Sequence, residues 1–189
     1  MPFIDKDIEV RARGPTHWEV LKAIRYHGRE EGFIVHAGFE TDFASVPRGL
    51  VWLIPKYGRF TAAAILHDFL WAQCRDGRFN WFDADGIFRR AMREDGVPFA
   101  HRWLMWGAVR LGVMRHAPFD PFSHGVVQSG LFLAVAGLGA AFVAVPFAVV
   151  SLWLVLFWLG QLPLFALSWL RHRGTSRQPE RPRLLFKMG

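Results

Sequence analysis

The chain has 189 residues, 52% of them hydrophobic and 15% aromatic, with a formal net charge of +7 and a mean hydropathy of +0.16. This composition excludes a disordered chain, a collagen and a coiled-coil rod. The one cysteine, Cys74, excludes an internal disulfide and any cysteine-based zinc finger.

The start, MPFIDKDIEV, has no uncharged apolar stretch, so no cleavable secretory signal is expected. Residues 8–45 are expected to form strands. Trp18–His27 and Gly32–Phe43 are aromatic and β-branched, and Gly28-Arg29-Glu30-Glu31 between them suits a hairpin or small meander. A loop follows at Ala44–Gly49, then a short apolar piece, Leu50–Ile54, ending at Pro55. Three helices are expected next: Arg59–Gln73, Trp81–Asp95 (closed by Gly96 and Pro98) and Ala100–Met114.

From Pro121 to Leu170 there is no Lys, Arg, Asp or Glu. As one straight helix, Gly125–Leu170 would be roughly 68 Å long, against a hydrocarbon core of about 30 Å. Two spans are therefore expected, Val127–Val145 and Phe147–Leu170, with the turn at Pro146. Arg102, Arg110 and Arg115 precede this segment. The tail after it holds six basic residues against Glu180. Basic flanks on both sides predict a multi-pass protein of the cytoplasmic membrane with both termini in the cytoplasm. The tail is expected to favour anionic lipid headgroups. No nucleic-acid partner is expected, because the charge over residues 1–120 is nearly balanced. The fold expected is α+β: a small antiparallel β region and a helical body over residues 1–120, a transmembrane hairpin over 121–170, and a basic tail over 171–189.

Chemistry is concentrated in two places. His67 and Asp68 lie in the middle of an apolar helix, where each needs its own partner because adjacent helical positions point about 100° apart. On the second helix Asp85 shares a stripe with Phe88 and Met92, so it is aimed inward. If the two helices pack antiparallel, Asp85 can bond His67 and leave the other imidazole nitrogen free as a base. A buried pair with only a structural role is the alternative. The second place is Thr41–Pro47, where Asp42, Ser45 and backbone carbonyls could gather around a hard cation such as calcium. The alternative there is a side-chain-capped turn leading into the helices.

The segments GFETDFASVPR, GRFTAAAILHDFLW and ADGIFRRAM resemble a phage and prophage family of uncharacterised domains, over about residues 18–112. Trp71 stands where that family has Tyr. The order of loop, His-Asp helix and Asp-x-x-Phe helix is also similar to small prokaryotic phospholipase A(2) enzymes. That resemblance implies His67 as the base activating water, Asp85 as the group orienting it, and Asp68 as a calcium ligand. Carbonyls of the Asp42–Ser45 loop would complete the metal site. Two functions follow as expectations: a membrane-anchored, calcium-assisted lipid hydrolase, or a non-catalytic membrane module of phage or prophage origin.

Overall fold

A computed structural model describes residues 3, 4, 7–29, 31–43, 46, 50–114, 126–172 and 180–183. Five short strands come first: β1 (Val10–Ala12), β2 (Trp18–Val20), β3 (Ile24–His27), β4 (Gly32–Val35) and β5 (Glu40–Thr41). They form two antiparallel sheets, one ordered β1-β2-β5 and the other β3-β4. The expected hairpin is present between β3 and β4, with Ile24 opposite Val35 and the turn closed by Gly28 N–H donating to the Glu31 carbonyl at 2.8 Å. The longer expected strands are interrupted. Gly38, at φ +88°, turns the chain so that Phe39 and Gly38 bond the backbone of Val20, which brings Thr41 opposite Trp18. That backbone region suits glycine, which has no Cβ to clash.

Four helices follow: α1 (Thr61–Arg75), α2 (Trp81–Glu94), α3 (Phe99–Val113) and α4 (Val126–Arg171). The inward face of α1 is the stripe Ala63, Leu66, His67, Leu70 and Cys74, all buried. That of α2 is Ala84, Asp85, Ile87, Phe88, Ala91 and Met92. Both stripes follow helical spacing, so packing the apolar residues necessarily carries His67 and Asp85 inside. Asn80 caps α2 by accepting from the Phe82 amide at 2.8 Å. Gly96, at φ +75°, ends the helix as expected: its amide bonds Arg93 and the Val97 amide bonds Met92. The core formed by α1, α2 and the sheets includes Val20, Ile24, Tyr26, Val35, Ile65, Leu66 and Phe88.

The C-terminal segment differs from the expected hairpin. Val126–Arg171 is one helix that runs through both Pro146 and Pro163. A proline removes one amide donor, whereas a reversal within Val143–Ala148 would strip several backbone groups of their bonds in a stretch with no glycine or polar side chain to hold a turn. Continuing the helix is the smaller loss. Residues 129–171 of α4 are apolar and long enough to cross a membrane. Its first part packs on α3: Trp106 meets Phe132, and Gly107 and Gly139 allow close approach of Val135 and Leu104 respectively. The link over 115–125 and most of the tail lie outside the described residues.

Candidate active site

His67 Nε2 lies 2.9 Å from Asp85 Oδ1, and the two residues are 6% and 0% exposed. The imidazole is held between Phe88, at 4.6 Å between ring centroids, and Trp71, at 5.3 Å. Trp71 Nε1–H points at the same Asp85 oxygen from 3.4 Å, a long contact. A carboxylate only accepts, so Nε2 carries the hydrogen and Nδ1 is the acceptor edge. Among the described residues Nδ1 makes no hydrogen bond.

The other oxygen of Asp85 faces a residue that sequence reasoning placed elsewhere. Arg110 is 5% exposed, and its Nε is 3.4 Å from Asp85 Oδ2. The two atoms attract as an ion pair, but neither makes a hydrogen bond among the described residues. One Arg110 Nη donates to the Phe82 carbonyl at 3.3 Å, and the guanidinium lies over the rings of Phe82 and Trp106. Burial draws the Arg110 pKa down and Asp85 draws it back up; arginine's range is so high that the group stays charged. Arg110 is therefore a core residue of the site rather than a flanking charge of the membrane segment. Its signal was present in the sequence: it falls on the stripe Trp106, Arg110, Val113, in register with the buried face of α3.

Asp68, one position along α1, turns to β5 instead. Its carboxylate accepts from the Thr41 hydroxyl and from the Asp42 backbone amide. The Thr41 oxygen also accepts from the Phe43 amide at 2.9 Å. Phe43 adopts φ 62°, a left-handed conformation that costs a non-glycine residue about 1 kcal/mol or more. Burial raises the Asp68 pKa well above the usual carboxylate range, and the Asp42 charge raises it further. The bonds from Thr41 and Asp42 and the charge of Arg75 pull the other way.

One cavity of about 700 Å³ joins these groups. His67, Asp68, Thr41 and Asp42 contribute its polar wall; Phe39, Phe43, Leu50, Ile54, Phe88, Met105 and Val109 are among its apolar lining. Thus four of the five expected site residues are described, and three of them, His67, Asp68 and Asp42, line one cavity with Asp85 directly behind the imidazole. Ser45 lies outside the described residues. Among the described residues there is no group of three or more His, Cys, Asp or Glu side chains arranged for a metal ion.

Residues 18–109 match a family described as a protein of unknown function, DUF1353. The match takes in β2 through most of α3, including His67, Asp68 and Asp85, and stops one residue short of Arg110. It agrees with the resemblance to an uncharacterised domain family and leaves α4 outside. No curated protein and no solved structure matches the chain, so the phospholipase resemblance rests on motif order alone.

Proposed function

We propose that the protein is a membrane-attached hydrolase of phage or prophage lineage that cleaves a carboxylic ester of a lipid, with His67 as general base. The observation that carries this reading is the 2.9 Å His67–Asp85 bond at the wall of a largely apolar cavity of about 700 Å³. Asp85 holds Nε2 and fixes the ring; Nδ1 then accepts a proton from a water in the cavity as that water attacks the ester carbonyl, and returns it to the departing alcohol oxygen as the tetrahedral intermediate collapses and the ester C–O bond breaks. The apolar lining suits acyl chains, and α3, which supplies Met105 and Val109, is the helix on which α4 packs. Attachment through α4 would keep the cavity close to its substrate and raise its effective concentration.

A calcium ion is the cofactor this reading implies. Asp68, Asp42 and the Thr41 hydroxyl supply oxygen donors from two elements. Two neighbouring carboxylates whose charges oppose each other form a donor set that a divalent cation would relieve. The further oxygens such an ion needs, six to eight in all, would come from backbone carbonyls and water. When bound, it would polarise the ester carbonyl and stabilise the developing oxyanion.

The test is release of fatty acid and lysolipid from mixed phospholipid micelles by the purified full chain, with calcium or with chelator. His67→Ala is expected to lower turnover per folded molecule by about a hundredfold or more, with the folded fraction of each preparation measured by circular dichroism. Equal lysolipid from wild type and His67→Ala would remove the enzymatic reading. A non-catalytic module held together by a structural His67–Asp85–Arg110 core would then be left.

A further inference from the structure

The contacts of α3 with α4 run in opposite directions along the two helices. Leu104 meets Gly139, while Gly107 meets Val135 and Trp106 meets Phe132. The helices are therefore antiparallel, and α4 leaves the domain past the first turn of α3. Extending that register, Phe99 is level with about residue 144, so about 27 residues, roughly 40 Å of apolar helix, stand beyond the domain. The face they leave from carries a ladder of cations and rings. The Arg102 guanidinium lies 5.2 Å over Phe99, Phe99 is 5.9 Å from Trp103, and the Arg89 guanidinium lies 4.4 Å over Trp103. Phe99 is 67% exposed.

Arg90 pairs with Glu31 and Arg110 with Asp85, but Arg89, Arg93 and Arg102 have no acidic partner among the described residues. Arg89 Nε and Trp103 Nε1 are buried donors without an acceptor among the described residues. Burial, and after it the charges of Arg93, Arg102, Arg90 and Arg110, hold the Arg89 pKa below its ordinary value. Guanidinium forks match the oxygens of a phosphate, and aromatic rings favour the level of the headgroups.

We propose that Arg89, Arg102 and Trp103, with Arg93 at the rim, form a docking site for the phosphate of an anionic phospholipid at the level where α4 leaves the domain. The site rests on the membrane attachment proposed above. It fixes the domain against the headgroup layer rather than leaving it free to swing on α4.

The experiment uses the full chain in micelles of phosphatidylcholine with phosphatidylglycerol, and native mass spectrometry to count retained lipid. Wild type is expected to retain phosphatidylglycerol selectively. Arg89→Gln with Arg102→Gln should bind it about tenfold more weakly, while Arg11→Gln on β1 should bind as wild type does. Arg93→Gln with Arg102→Gln serves the same purpose with less risk to folding, because Arg93 is exposed. Retention unchanged in both double variants overturns the site, and so does displacement of the lipid by an equal concentration of inorganic phosphate. Extraction of the wild-type chain from membranes by alkaline carbonate would instead defeat the attachment on which the site rests.

Discussion

Asp85 is fully buried and stands between an imidazole and a guanidinium, so its removal strands two groups at once. Breaking a buried pair by deleting one partner costs about 3–5 kcal/mol, whereas replacing both partners with apolar residues costs far less. Asp85→Leu is therefore expected to destabilise the domain by about that amount. Asp85→Leu combined with Arg110→Leu should recover at least about 1 kcal/mol of the loss in denaturant unfolding of the detergent-solubilised chain. Additive losses would show that the 3.4 Å contact contributes nothing. Asp68 is linked to pH in the opposite sense to an ordinary salt-bridged carboxylate. Its folded-state pKa is raised, so the folded protein holds this proton more tightly than the unfolded chain. The stability this contributes is complete below about pH 4 and is lost as pH rises through the folded-state value. Asp68→Asn, which cannot ionise, is thus expected to melt above wild type at pH 8, with the gap closing towards pH 4. Calcium should raise the wild-type melting temperature at pH 8 and leave that of Asp68→Asn unchanged. A wild-type protein that melts above Asp68→Asn at pH 8 without calcium would contradict the burial argument. The His67–Asp85 partnership was legible in the sequence because a helical stripe forces both groups inward. Arg110 was legible only ambiguously: it falls on the buried stripe of α3, yet an arginine near an apolar span satisfies the flanking-charge rule equally well, and the packing of α3 on α2 decides between the two.

At the level of elements, the three helices of the body were legible from their stripes and caps. The strands were legible only as a region. Trp18–His27 has the composition of one strand, yet the chain divides at 21–23 and its halves join different sheets, because pairing is decided by distant partners such as Thr41 and Val35. Two glycines test the helix packing in opposite directions. Among the described residues a Cβ on Gly86 meets nothing within 4 Å, so Gly86→Ala should stabilise α2 by about 0.5–1 kcal/mol through backbone entropy alone. A Cβ on Gly107 would stand 3.2 Å from Val135 Cγ1. Gly107→Val is therefore expected to push α4 away from α3 at a cost of about 1–3 kcal/mol. Faster amide exchange in α3 and in residues 129–139 is the signature, with α1 protected as in wild type. Exchange unchanged in α3 would mean that the two helices do not depend on this close approach.

For the whole molecule, the decisive geometry is one helix where two spans were expected. The apolar length alone could not choose between them, since 46 residues exceed one crossing and Pro146 is compatible with a turn. Packing supplies a use for the surplus. The first part of α4 is occupied against α3, with Ser129 and Phe132 buried, and the part beyond exposes Phe142, Val145, Val149 and Trp153. If only the projecting part crosses the bilayer, it crosses once, and the domain and the tail lie on opposite sides. A reporter active only outside the cytoplasm, fused in turn before residue 1 and after residue 189, is then expected to be active at one end and silent at the other. Silence at both ends, with the chain still resistant to carbonate extraction, would restore the hairpin with both termini in the cytoplasm. That outcome would require α4 to reverse near Pro146. Cysteines placed at Phe142 and Val149 would then be separated by a turn rather than lie two helical turns apart on one face, and spin-label distances between them would shorten from roughly 10 Å of axial rise.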